Sequence, residues 1–310
     1  MLKKVTDTLL FKKLFRMSKK WTLPGFDGLA LHEVVAFFYQ SITKGDVLNR
    51  ANSLSFSFFF ALFPSILVFF TIIPYIPVEG FQATLLQTLH ELLPDSTYEG
   101  VRNTIEEIIV RKNGGLLSVS FLLSIIFSTN GTSAMIDSFN KTHYSIETRS
   151  FVKQRLVAFY MVVLISMILI FTITLIIVGS NVLRELANQD IVKSNIIFHV
   201  INFSRFLVIT SMILLSVSLI YFMAPVKKQH FRFISPGSVL ATILFLLTTI
   251  GFNYYIQNFS KYNALYGSIG TLIIFMMWIN LNTLILLLGF DLNASISRIL
   301  HNRVVESDSK

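Results

Sequence analysis

Six stretches of the chain contain no Asp, Glu, Lys or Arg: residues 51–78, 113–136, 156–183, 206–226, 233–260 and 262–290. A helix that crosses a bilayer needs roughly 20 mostly apolar residues, because the hydrocarbon core is about 30 Å thick and each residue rises about 1.5 Å. The pattern therefore predicts an all-α membrane protein. Its bundle of six transmembrane helices falls at about 51–74, 114–136, 156–179, 205–225, 234–257 and 266–289.

Between these runs the pattern changes. After a turn at Leu23-Pro24-Gly25, apolar residues recur at helical spacing as Leu31, Val34, Val35, Phe38 and Ile42. This predicts an interfacial elbow helix feeding the first span. The loop 75–113 offers two amphipathic segments, one with Phe81, Leu85, Leu89 and Leu92, the other with Val101, Ile105, Ile108 and Ile109. Pro94-Asp95 separates them, and Asp95, Ser96 or Thr97 suits an N-cap. Residues 1–26 form a basic N-terminal arm, with seven basic groups and one acid in the first 20 residues. It reads as an amphipathic surface arm or a disordered tail. Residues 27–295 form the six-span domain and 296–310 a cytoplasmic tail.

Composition supports lipid as the solvent. The chain is 53% hydrophobic with 30 Phe, and only 14% charged, against about 25% in an ordinary soluble domain. The N-terminus has no continuous apolar run of the kind a secretory signal needs. The absence of cysteine excludes disulfides, thiol chemistry and Cys-based metal sites.

Charge sets the expected orientation. With the N-terminus inside, the segments 1–50, 136–155, 226–233 and 290–310 hold 19 Lys and Arg, and the opposite loops hold seven. Basic loops stay in the cytoplasm, so both termini are expected there. The basic rim suits membrane lipids with an anionic cytoplasmic face. That bias accounts for the net charge of +9, so no nucleic-acid partner is expected.

Polar groups inside the spans are the candidate functional positions, because in hydrocarbon they must face other helices or a cavity. In span six, Gly267, Thr271, Phe275, Trp278 and Asn282 share one face. Asn280 points about 160° away, on a stripe with Ile269, Ile273 and Met276. The two amides therefore imply a central helix with partners on two sides, acting as packing glue or as a cavity lining. Span one has Asn52, Ser53, Ser55 and Ser57 at its cytoplasmic end and Pro64 near its middle, where a kink is expected. Span two carries the polar run Ser128 to Ser133 around Asn130, an unwound or a tightly packed segment. Arg205 at the edge of span four snorkels or binds an anionic group. Asp291 lies 11 residues beyond Asn280 on nearly the same face. Solvation at the helix end is its ordinary role, and pairing with Arg50 or Arg155 is the alternative.

Several chemistries lack their residues. No span has an interior acid or base of the kind that proton relays use. The six His residues are scattered singly, without HExxH or HxH, and no GxxxxGK[ST] phosphate loop is present. Glu106-Glu107 sits at adjacent positions of an amphipathic segment, as a solvated face does. No catalytic constellation and no cofactor are expected.

Specific motifs carry a resemblance over roughly residues 30–295. They are Arg50-Ala51 leading to Ala61-Leu62-Phe63-Pro64, Phe139-Asn140 followed by Glu147, Arg149, Lys153 and Arg155, Pro236-Gly237, and Tyr266-Gly267-Ser268 through Trp278 to Gly289-Phe290-Asp291-Leu292-Asn293-Ala294. In these the chain resembles the YihY/BrkB family of bacterial inner-membrane proteins. Phe290 and Asp291 stand where many members have Ala and Glu, and Asn280 and Asn282 replace Tyr and Ser. The resemblance implies a role in serum resistance or in movement of lipids or envelope precursors. Some members carry the name ribonuclease BN, which implies an RNA-cutting activity for which this sequence supplies no metal ligands or acid–base pair. The expected function is a transporter or handler of a lipid or other amphiphile, with a non-transporting scaffold for envelope enzymes as the alternative.

Overall fold

The computed structural model describes residues 25–44, 46–75, 82–83, 86, 111–142, 149–188, 194–226, 232–258 and 260–308. The basic arm up to residue 24 and, apart from residues 82–83 and 86, both amphipathic segments expected within 75–113 lie outside the described residues. Seven α-helices are present among those described: α1 (Leu31–Lys44), α2 (Val47–Ile72), α3 (Gly114–Thr142), α4 (Phe151–Asn188), α5 (Ser194–Met223), α6 (Pro236–Asn258) and α7 (Ser260–Asp308). Helices α2 to α7 each contain a stretch long and apolar enough to cross a membrane. At about 21 Å, α1 is too short to do so.

Local chemistry starts these helices. Asn113 caps α3, its Oδ1 accepting the Leu116 N–H at 2.9 Å. At α6, Ser235 and Ser238 form a reciprocal cap, each Oγ accepting the other's backbone N–H at 3.0–3.1 Å. Pro236 sits at the first helical position, where its missing N–H costs no hydrogen bond. Most hydroxyls within the spans return to the carbonyl one turn back. Thr71, Ser120, Thr129 and Thr172 bond Leu67, Leu116, Ile125 and Ile168 in this way. Such a bond lets a small polar side chain lie in hydrocarbon without a partner helix.

The chain divides into two units, residues 1–55 with 132–310 and residues 56–131. In the first, α6 packs along α7 and α5, α4 along α5, and α1 against α7. Its core joins Phe26, Leu29 and Val34 to Leu292, Ile296 and Ile299, with Phe38 and Leu240 against them. Of the predicted elbow stripe, Val34 is buried and Val35 is exposed. The domain boundary expected at 295 falls inside α7, whose packing continues through Ile299. Helix α7 has 49 residues, about 74 Å, more than twice the bilayer core. Among the described residues its apolar stretch is Leu272–Leu300, which overlaps the expected 266–289. Only 6% of the apolar stretch of α4 is fully buried, although the helix packs along α5.

In the second unit, Pro64 is buried inside α2. Ser65 Oγ donates to Ala61 O at 2.8 Å and lies 3.0 Å from Ser124 Oγ on α3. The polar run Ser128 to Ser133 is continuous helix, so the tightly packed alternative holds and the unwound one does not. The reason is at Gly131, where a Cβ would sit 3.0 Å from the Phe58 ring.

Candidate functional site

Two features of the first unit gather the polar side chains. One is a buried ion pair. Arg50, in the first turn of α2, donates from Nη2 to Asp291 Oδ2 at 2.9 Å and from Nη1 to the Ser138 carbonyl at 2.9 Å. Arg50 Nη1 also bonds Thr142 Oγ1, and Thr142 Oγ1 donates to Asp291 Oδ1 at 2.6 Å. Asp291 is fully buried and Arg50 nearly so. The ordinary solvated role expected for Asp291 is therefore overturned. The carboxylate lies within a packed stretch of helix, and Arg50 rather than Arg155 is its partner. Arg155 lies with its guanidinium 5.1 Å from the Phe151 ring centre.

Beside the ion pair, Phe139 and Phe290 stack with ring centres 4.0 Å apart, and Tyr221 meets both edge-on. Tyr221 Oη donates to Leu286 O at 2.7 Å. Close backbone approach holds α6 on α7. A Cβ at Gly289 would lie 2.6 Å from Gly237 O and 2.9 Å from Ala241 Cβ. Asn293 fastens the crossing, accepting from Gly237 N at 2.8 Å and donating to Ser235 Oγ at 2.9 Å.

The second feature is a cavity of about 250 Å³ just beyond this crossing. Ser218, Tyr221 and Phe222 of α5, the start of α6, and Asn293, Ile296, Ser297 and Leu300 of α7 line it. Its remaining wall is the turn Gly25–Gly28, in which Gly25, Asp27 and Gly28 all have positive φ. Gly and Asp are the residues that tolerate this geometry, and it lets the turn close over α6. Arg232 Nη1 lies 2.9 Å from both carboxylate oxygens of Asp27. The cavity thus combines hydroxyls, apolar walls and one exposed ion pair.

The other predicted positions are dispersed. Asn280 donates to Asn52 Oδ1 at 2.8 Å and to Ser55 Oγ at 3.1 Å, which makes it the glue between α7 and α2. Asn282 instead donates to the Trp278 carbonyl of its own helix at 2.6 Å. Among the described residues it therefore does not make the second interhelical hydrogen bond that its opposed direction implied. Trp278 stacks on Phe275 at 6.0 Å. Neither Asn282 nor Trp278 lines the cavity described above. Asn140 is buried and accepts from Val226 N at 3.0 Å, tying the end of α3 to the segment after α5. Arg149 adds a bond to Ala224 O at 3.0 Å. Arg205 is half-buried on α5, with Nε lacking a partner among the described residues. Asn130 is exposed on α3. Tyr266, Gly267 and Thr271 fall in the helical run of α7, and their side chains lie outside the described residues. Asp27, Arg232, Ser218 and Tyr221 were not singled out from the sequence. Nothing local in their segments marks them, because they meet only through the fold. Among the described residues, no three His, Asp or Glu side chains converge as a metal site.

A family model described as "Virulence factor BrkB" matches residues 38–309. A ribonuclease-like protein, YfkH, of Bacillus subtilis (strain 168) is 29% identical over 265 residues, covering 86% of this chain and 94% of that protein. A UPF0761 membrane protein of Mannheimia succiniciproducens is 27% identical over 270 residues, covering 84% and 88%. A third, from Aggregatibacter aphrophilus, is 25% identical over 273 residues, covering 86% and 93%. No solved structure matches the chain.

Proposed function

The chain belongs to the virulence factor BrkB family of multi-pass membrane proteins, and on that premise we propose that it binds and moves a lipid or similar amphiphile in the bacterial inner membrane. The observation that carries this reading is the cavity of about 250 Å³ at the end of α5 and α7. It sets Ser218, Ser297 and an ion pair beside Phe222, Ile296 and Leu300. An amphiphile presents the same two surfaces at the bilayer edge. The excess of basic residues in the loops on this side favours a cytoplasmic location for it, with both termini inside.

Catalysis forms no part of this reading. The ribonuclease-like name belongs to the Bacillus relative, and among the described residues no three His, Asp or Glu side chains converge as a metal site. Purified protein reconstituted into vesicles with a fluorescent lipid tests the proposal. With an impermeant quencher outside, quenching should run well past the outer-leaflet half seen in protein-free vesicles. Quenching that stops at the protein-free level would leave a non-transporting scaffold as the better reading. RNA cleavage lost on changing a single residue of this chain would restore the enzyme reading.

A further inference from the structure

The cavity mouth carries one cation and one anion. Arg232 and Asp27 face each other at 2.9 Å, with side chains 49% and 33% exposed. The rest of the lining is uncharged. The backbone donors at the start of α6 are already engaged, Gly237 N by Asn293 and Ser238 N by Ser235. Among the described residues of the lining, charge recognition therefore rests on Arg232 and Asp27.

A ligand bearing only a phosphate would meet the Asp27 carboxylate as well as Arg232, and like charges this close repel. A ligand with a phosphate and a primary ammonium meets neither difficulty. The guanidinium fork donates to the phosphate oxygens, and the ammonium donates hydrogen bonds to the carboxylate. One solvent-exposed ion pair is then exchanged for two, with no net charge brought in. A pair this exposed contributes little to the fold, so opening it is cheap. The volume of about 250 Å³ lies below the range of about 300–1,000 Å³ usual for whole drug-sized ligands. It suits a headgroup whose tails leave along Phe222, Ile296 and Leu300.

We propose that this cavity is a binding site for the zwitterionic headgroup of an aminophospholipid, Arg232 taking the phosphate and Asp27 the primary ammonium. The inference rests on the amphiphile reading and narrows its substrate class.

The test is binding to the purified full-length chain in detergent, followed by native mass spectrometry. Short-chain phosphatidylethanolamine, phosphatidylcholine and phosphatidylglycerol serve as probes. Phosphatidylethanolamine should bind at least about tenfold more tightly than the other two, since a quaternary ammonium cannot donate to Asp27 and glycerol has no cation. Equal affinity for all three in the unaltered protein overturns the proposal without any variant. Asp27→Asn should abolish the preference over phosphatidylcholine and improve phosphatidylglycerol binding, whereas Arg232→Gln should weaken all three. Unchanged ranking in both variants, with unaltered melting, also overturns it. Water-soluble glycerophosphoethanolamine should compete only at far higher concentration. Competition at equal concentration would assign the site to a free phosphoamine rather than a lipid. Because binding in detergent requires no movement across a bilayer, failure here leaves the vesicle result standing, and the reverse.

Discussion

At the scale of single residues, the amides and the carboxylate of α7 differ in what they contact. Asn280 bonds Asn52 and Ser55 across to α2, whereas Asn282 bonds the carbonyl of Trp278 one turn back. Replacing Asn280 with Leu removes both interhelical bonds, each worth about 0.5–2 kcal/mol in a membrane. Asn282→Leu removes only a local bond, and its carbonyl partner keeps its helical role. Thermal unfolding in detergent should rank Asn280→Leu as the more damaging; the reverse order would contradict the assigned partners. Asp291 is a larger effect. Asp291→Asn leaves the Arg50 guanidinium buried without its counter-charge, and breaking such a pair from one side costs about 3–5 kcal/mol. The double variant Arg50→Met with Asp291→Leu should recover most of that loss, because it removes both charges. A double variant as unstable as the single would show that the pair is not a mutual one.

At the scale of elements, the crossing of α6 and α7 depends on the absence of two side chains. Gly237 and Gly289 allow backbone contact that no other residue permits, since a Cβ at Gly289 would lie 2.6 Å from a carbonyl oxygen of the other helix. Backbone cannot yield as a side-chain tip can. Gly289→Ala should therefore destabilise by about 1–3 kcal/mol, the usual result of overpacking. It should also disturb the Asn293 bonds to Ser235 and Gly237, which hold the cavity wall. Helix α4 is the contrast. Its exposed Leu169, Ile170 and Phe171 are as well solvated by acyl chains as by protein, so Phe171→Leu should leave the melting temperature unchanged within error.

At the scale of the whole molecule, the six candidate spans among the described residues and the proposed cytoplasmic placement of both termini predict one pattern of exposure. Reporter fusions at Lys141, Lys227 and Lys310 should be cytoplasmic, and those at Glu91 and Asp190 external. A cytoplasmic signal at Glu91 would invert the charge argument. The chain has no cysteine, so single introduced cysteines can repeat this mapping without a background.

What the amino-acid order determines here is whatever depends on neighbours along the chain. Hydrophobic length marks α2 to α7 as spans, because a lipid solvent selects apolar length whatever the packing. Helix starts follow from Asn113, Ser235 and Pro236 for equally local reasons. Helical spacing also placed Asp291 on the Asn280 side of α7, which made pairing with Arg50 an available alternative. The tertiary structure decided which alternative holds. Arg50 and Asp291 are 241 residues apart, and Asp27 and Arg232 are 205 apart. Their pairing exists only where helices from distant parts of the chain converge. The same holds for the destination of an amide. The order of residues points Asn280 and Asn282 in different directions but does not say which finds a partner on another helix, since each has a carbonyl within reach one turn back. Only the position of α2 supplies Asn280 with a better partner, and the cavity arises where a glycine turn, a helix cap and the far end of α7 meet.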